Sequence, residues 1–223
     1  MTPGERWLTA TWPVVRACLP APPARVVEVG CGPLGGFVPM LRADGYDAIG
    51  IDPQAPDDAH YQRIEFERAE LPHQVDAIIA STSLHHVADP AQVIDRITST
   101  LTSGGAVIVV EWAWEKFDEQ TAEWCFKRLG SDDEAGWLHR RRDEWLDSGH
   151  DWPNYLRDWA ERDALHPGEM LLRLLDERLE RQLLTRGPYF FPDLVDTTEA
   201  DEQTAIDAAQ IQPTRIDYVG TRL

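Results

Sequence analysis

The sequence predicts an α/β fold, a mostly parallel sheet wound on both sides by helices. Three observations predict it. Compact strand-like runs recur at residues 25–29, 48–51, 75–80 and 106–110. Helix-forming segments alternate with them. The runs are apolar at nearly every position rather than every second one, as strands covered on both faces are.

The elements follow in order. Residues 4–18 read as a short helix packed on the main domain, stopped by Pro20-Ala21-Pro22-Pro23, because proline lacks the N–H that a helix interior needs. The first strand, 25–29, runs into Gly30-Cys31-Gly32-Pro33-Leu34-Gly35-Gly36, and 37–44 then looks helical. The second strand ends at Asp52-Pro53 and the next at Ser81. Over 90–101, Val93, Ile94, Ile97 and Leu101 share one face at helical spacing, and Gly104-Gly105 is read as the end of that helix. Residues 112–186 carry few strand signals and seven of the nine tryptophans: Trp112, Trp114, Trp124, Trp137, Trp145, Trp152 and Trp159. This segment reads as a helical insertion, or lid, after the fifth strand. Residues 188–194 and 215–221 read as late strands, with Thr198 and Asp201 capping a helix over 199–209. At 223 residues the chain is one domain with an elaboration. Its expected parts are an N-terminal helix (1–24), a ligand-binding core (25–111), the helical segment (112–186) and C-terminal strands and helix (187–223).

Charge narrows the function. Lys and Arg total 21 against 39 Asp and Glu, a net charge of -18. Nucleic acids and anionic membranes attract proteins through cations, so neither is an expected partner. No apolar run approaches the ~20 residues that span a bilayer, and the N-terminus lacks the basic start and apolar stretch of a secretory leader. The expectation is a cytoplasmic protein of open oligomeric state. Cys18, Cys31 and Cys125 are too widely spaced for a disulfide framework or a zinc ligand set, so no metal site is expected and the thiols read as reduced.

The main chemical signal is Val26-Val27-Glu28-Val29-Gly30-Cys31-Gly32-Pro33-Leu34-Gly35. Glycines at a strand-to-helix turn let backbone approach a ligand closely. Gly30, Gly32 and Gly35 formally match the dinucleotide fingerprint, and Asp52, 20 residues past Gly32, ends the next strand where an acid binds ribose hydroxyls. Glu28 argues against a dinucleotide: a carboxylate beside this turn repels a pyrophosphate and favours the ammonium and sulfonium of S-adenosylmethionine. Unit charges at ~4 Å interact by roughly 1–4 kcal/mol, enough to discriminate.

Five segments, in order, resemble the class I S-adenosylmethionine-dependent methyltransferases, particularly those with an LHH-V-x-D-P stretch. They are Glu28-Val29-Gly30-Cys31-Gly32; Gly50-Ile51-Asp52-Pro53; Glu67-Arg68-Ala69-Glu70-Leu71-Pro72; Val75 to Ser81 followed by Leu84-His85-His86-Val87-Ala88-Asp89-Pro90; and Leu101-Thr102-Ser103-Gly104-Gly105. Leu34 stands where the family has its third glycine, and Glu67 where Asp is commoner. The resemblance covers about 25–111 and implies a Rossmann-like sheet of seven strands, the last antiparallel. It implies S-adenosylmethionine as cofactor, held by Glu28, Gly30, Cys31, Gly32, Gly35, Asp52, Pro53, Glu67, Arg68 and Ser81, with Glu67 near the adenine and Ser81 near the methionyl end. The implied activity is methyl transfer to O, N or C of a small-molecule acceptor. The rivals are an NAD-dependent oxidoreductase and a non-catalytic protein that binds the same cofactor.

His85 and His86 lie at the carboxyl edge of the sheet, where one acts as general base or both fix the loop; His85 is the preferred candidate. The tryptophans read as core, as walls of an acceptor pocket, or as a cage for an amine. Glu111, Trp112 and Trp114, at the end of the fifth strand, are the acceptor-side candidates. Arg140-Arg141-Arg142 either docks an acidic acceptor or is a solvated face balanced by Asp143, Glu144 and Asp147. Pro188 to Pro192 lines the same pocket or packs a late strand.

Overall fold

A computed structural model describes residues 1–72, 74–131 and 136–222. Residues 132–135 of the expected helical segment, and Leu223, lie outside the described residues. The strands are β1 (Arg25–Val29), β2 (Asp47–Ile51), β3 (Tyr61–Gln62), β4 (Val75–Ser81), β5 (Leu101–Trp112), β6 (Glu180–Gly187) and β7 (Arg215–Thr221). They form one sheet in the order β3-β2-β1-β4-β5-β7-β6. β1 to β5 run parallel, and β7 is antiparallel to both β5 and β6. The sheet is therefore mixed, with the expected antiparallel last strand.

The apolar strands are buried on two faces. Val27, Val29, Ile78, Ala80, Val107 and Val109 pack with Val93, Ile94 and Ile97 of α3 (Pro90–Thr100) and with Leu171, Leu172 and Leu175 of α7 (Gly168–Asp176). The alternate residues Val26, Ala77, Ile79, Ile108 and Val110 pack with Val15 of α1 (Pro3–Cys18) and with Val38 and Leu41 of α2 (Val38–Ala43). Side chains alternate across a strand, so each layer of helices receives every second residue. A third cluster, rich in aromatics, joins α4 (Glu119–Phe126), α5 (Trp137–Ser148) and α6 (Trp152–Arg162) to Trp112, Phe190 and Leu194. α8 (Glu199–Asp207) completes the described helices, and none of these is long and apolar enough to cross a membrane.

Local chemistry sets the boundaries. Thr2 and Glu5 form a capping box at α1, and Thr198 and Asp201 form another at α8. Asp89 accepts the Gln92 N–H at the start of α3, with Pro90 inside its first turn, which is the use of the Asp-Pro pair.

Three expectations are corrected. The late strand expected at 188–194 is β6, Glu180–Gly187, inside the segment read as helical. It is an edge strand, ERQLLTRG, mostly exposed on both faces, so it has no apolar pattern to read. Residues 189–191 spend their N–H groups on the buried Glu202 carboxylate, at 2.8, 3.1 and 2.6 Å, not on a ladder. The third helix ends at Thr100, and Gly104, at φ +74°, sits within β5 beside the register irregularity between Val75 and Ala77. β3, only two residues long, was not anticipated.

Candidate active site

The strand order reverses at β1, which has β2 on one side and β4 on the other. Ligands bind at such a switch point, beyond the carboxyl ends of the strands. β1 leads into Gly30, whose N–H bonds the Ile51 carbonyl at 2.8 Å. Gly30 has φ +78°, and a Cβ there would lie 2.2 Å from Ser83 Cβ, so only glycine lets the turn pass the end of β4. Beyond this turn opens a crevice of about 660 Å³.

Of the residues expected to hold a cofactor, Gly30, Asp52, Pro53, Glu67 and Arg68 line this crevice, together with His86. Cys31, Gly32, Gly35 and Ser81 are not among the residues that line it. Cys31 is buried, and Gly35, at φ +81°, is held by the Tyr61 hydroxyl donating to its carbonyl at 3.3 Å. Ser81 is buried and accepts the Trp7 indole N–H at 3.4 Å. The residues after it, Thr82 and Ser83, reach the crevice instead, as do Phe66, Val87 and Gln92.

Glu28 differs most from its expected place. It is 1% exposed and lies beneath the turn. Its Oε2 accepts the Phe37 N–H at 2.7 Å, and a bond from the Val38 backbone adds to it, so it closes the N-terminus of α2. Burial pushes its pKa up to about 8, against the pull of these two bonds. The Coulombic discrimination assigned to Glu28 therefore passes to the crevice lining, where Asp52, Glu65 and Glu67 outnumber Arg68. That wall still disfavours a pyrophosphate.

A second cavity, about 450 Å³, adjoins the first and shares Thr82 and His86 with it. Its walls are Trp112, Trp137, Trp159 and Tyr189, with His85, Arg140, Arg141, Asp163 and Leu165. Trp112 and Tyr189 stack with centroids 5.5 Å apart and planes 10° apart. Trp114 is outside this lining, in a short turn at the edge of the aromatic cluster.

Glu111 is 1% exposed and does not face the cavity. Its Oε1 meets His85 Nδ1 at 2.5 Å and accepts the Trp112 N–H at 2.9 Å, while Oε2 accepts the Leu84 N–H at 2.8 Å. Burial raises the pKa of this carboxyl, but His85 and the two backbone donors outweigh burial and hold it below its usual range. Glu111 thus binds the Nδ1 side of His85, whose residue lines the cavity. His86, 4.0 Å from His85 between ring centroids, is driven down to about 4, first by burial and then by its neighbour. It is neutral at pH 7 and a weak base. The geometry separates the two histidines, and the difference favours His85, the candidate preferred from the sequence.

A family model described as a methyltransferase domain matches residues 10–162. The chain belongs to this family. The sheet and the crevice at its switch point are those of the class I, Rossmann-like, S-adenosylmethionine-dependent methyltransferases, and S-adenosylmethionine is the cofactor. This methyltransferase is 34% identical over 108 residues to a ubiquinone biosynthesis O-methyltransferase of Xylella fastidiosa, a match covering 41% of the chain and 43% of that relative. The chain thus spans less than half of the curated relative. Among solved structures it resembles an S-adenosylmethionine-dependent methyltransferase from Mesorhizobium loti, with TM-score 0.57, 20% identity, and 96% and 98% of the two chains covered. It also resembles a geranyl diphosphate C-methyltransferase from Streptomyces coelicolor, with TM-score 0.58, 13% identity, and 98% and 82% covered. At these identities the likeness is one of fold.

The residues present fit the cofactor. The crevice has the volume of a small-molecule site. A Cβ on Gly32 would meet nothing within 4 Å, so the turn exposes open backbone. Asp52 accepts the Gln54 N–H through Oδ1 at 2.6 Å, which fixes the carboxylate at the mouth.

Sequence reasoning missed Thr82, which borders both cavities and has φ +49°. Its position directly after a strand-ending serine was the available signal. It also missed Trp7, which the packing of α1 brings to 5.2 Å from Tyr189; Tyr189 itself, within the Pro188 to Pro192 stretch offered as pocket lining, does line the second cavity.

Proposed function

We propose that this methyltransferase methylates a hydroxyl oxygen of a small-molecule acceptor, with His85 as general base. The observation that carries the reading is the buried contact, 2.5 Å, between Glu111 and His85, which lines a cavity that shares a wall with the cofactor crevice. A carboxylate on Nδ1 fixes the tautomer, directs Nε2 at the acceptor and stabilises the imidazolium as it forms. A hydroxyl needs such a base, whereas many carbon and amine acceptors do not.

Gly30, Asp52, Pro53, Glu67 and Arg68 would hold the donor, with Thr82 at the junction. Glu28, Cys31, Gly32, Gly35 and Ser81 support the turn and β4 edge behind them. S-adenosylmethionine supplies an electrophilic methyl on sulfur: as the acceptor oxygen forms its bond to carbon, the carbon–sulfur bond breaks and S-adenosylhomocysteine leaves. His85 Nε2 takes the hydroxyl proton. His86, neutral, lies in the shared wall and holds the acceptor without taking the proton. α4 to α6 and the Tyr189 stretch serve as the lid that excludes water and aligns the acceptor.

Calorimetric titration with S-adenosylmethionine and with NAD tests this reading. Micromolar binding of S-adenosylmethionine is expected, weakened about tenfold or more in Asp52→Ala, in line with roughly 1.5–3 kcal/mol for a hydrogen bond to a charged group. NAD binding without S-adenosylmethionine binding would overturn it. Binding without S-adenosylhomocysteine formation from any hydroxylated acceptor would reduce the chain to a binding protein.

A further inference from the structure

The acceptor cavity holds more recognition than methyl transfer needs. Arg141 belongs to the run Arg140-Arg141-Arg142, in which Arg140 is exposed and Arg142, half-buried, pairs with Asp143 at 2.8 Å. The Arg141 side chain is 11% exposed and its guanidinium carbon stands 4.8 Å from the Trp159 ring centroid. Nη2 binds Glu144 at 2.7 Å, while Nη1 is buried with no hydrogen-bond partner. A second donor in the same wall is in the same condition. Trp112 is 3% exposed, and its Nε1–H is buried and unpartnered. Buried donors are almost always satisfied, and leaving one unmade is costly. Both residues line the same cavity, so two unmet donors lie within its wall, where a shift of either side chain would bring a donor to a ligand's acceptor atom.

The remaining lining fixes the kind of ligand. Arg140 lines the cavity and has no ion-pair partner among the described residues. Asp163, the opposing carboxylate, is already engaged by Trp159 Nε1 at 2.5 Å and Arg162 Nε at 3.2 Å. Two arginines thus line a cavity whose aromatic walls are Trp112, Trp137, Trp159 and Tyr189. In a chain of net charge -18 such a local excess of cations is a selective feature. Guanidinium geometry matches a carboxylate, and indole walls match a flat ring.

We propose that the acceptor is a planar aromatic acid: its ring lies among the tryptophans, its carboxylate binds Arg141 with help from Arg140 and Trp112, and its hydroxyl reaches His85. The inference rests on the reading of His85 as the base. The hydroxyl oxygen gains the methyl carbon, its proton passes to His85 Nε2, and the donor leaves as S-adenosylhomocysteine.

The test uses the full chain saturated with S-adenosylhomocysteine. Three probes are titrated by calorimetry and tryptophan fluorescence: 3,4-dihydroxybenzoate, catechol, which lacks the carboxylate, and cyclohexanecarboxylate, which lacks the flat ring. The aromatic acid binds at least tenfold tighter than either of the others. In Arg141→Met its preference over catechol falls to threefold or less, and Arg141→Lys lies between. Equal binding of catechol and 3,4-dihydroxybenzoate to the native chain overturns the proposal, and that comparison requires no variant. Survival of the preference in a folded Arg141→Met chain overturns it too. His85-dependent methylation of catechol with no preference for the acid overturns the aromatic-acid assignment and keeps the proposed activity. Failure to bind S-adenosylhomocysteine overturns both.

Discussion

Replacing Glu28 by Gln isolates a single buried proton. The carboxyl is 1% exposed, bonded only to backbone N–H groups of α2 among the described residues, and carries a pKa of about 8 against an ordinary 4.5. Between those two values the folded chain holds a proton that the unfolded chain has released. Stability therefore falls as pH rises through this window, and the full cost is present above about pH 8. At about 1.4 kcal/mol per unit, the cost is roughly 5 kcal/mol, an upper bound because local relaxation reduces it. Glu28→Gln keeps the shape and never ionises. Urea unfolding, followed by tryptophan fluorescence at pH 5, 6.5 and 8.5, gives the two stability curves. The variant is expected to gain on the native chain by several kcal/mol between pH 5 and 8.5, with near-equal stability at pH 5. Parallel curves would refute the reasoning and return Glu28 to the role of a charged group.

Two further predictions concern the same architecture. Glu111→Gln removes the anion that orients His85 and stabilises its imidazolium, so kcat falls by roughly 10–10³-fold with little change in S-adenosylmethionine affinity, read by steady-state kinetics beside calorimetry. Because Glu111 is held below its ordinary pKa, the native chain gains stability from it above about pH 4.5 and loses that gain as pH falls through the folded value, a dependence the variant lacks in acid titration. Gly36→Ala places a Cβ 2.1 Å from Glu28 Oε1 at φ +58°, inside a buried cluster that cannot shift freely. A loss of about 2 kcal/mol or more in denaturant unfolding is expected, with weakened cofactor binding through the displaced turn.

The parallel half of the sheet was legible because its strands are apolar on both faces and its turns use glycine, proline and aspartate. Asp89-Pro90 and Thr198 to Asp201 announce helix starts by chemistry that does not depend on tertiary context. β6 was not legible, since an edge strand wet on both faces has no hydrophobic period, and Phe190 and Phe191 owe their apolar character to a buried turn on Glu202. In the site, Asp52 and His86, which follow strands, line the crevice, and so does Glu67, which the family resemblance supplied. Spacing does not reveal depth. Glu28 and Glu111 both end strands, yet both carboxylates turn inward to backbone donors, and each acts through what it holds. The arginine run shows the same limit: of three adjacent residues on one helix, two line the aromatic cavity and one does not, according to the third dimension alone.

The roles of the two histidines rest on the pairing of one with Glu111 and the suppressed basicity of the other. Single-turnover methyl transfer to a hydroxylated aromatic, measured for the native chain, His85→Gln and His86→Gln at saturating S-adenosylmethionine, tests this most directly. A loss of roughly 10²–10⁴-fold is expected for His85→Gln and less than about tenfold for His86→Gln. The reverse order, or equal small losses in both, would contradict the assignment of His85 as the base.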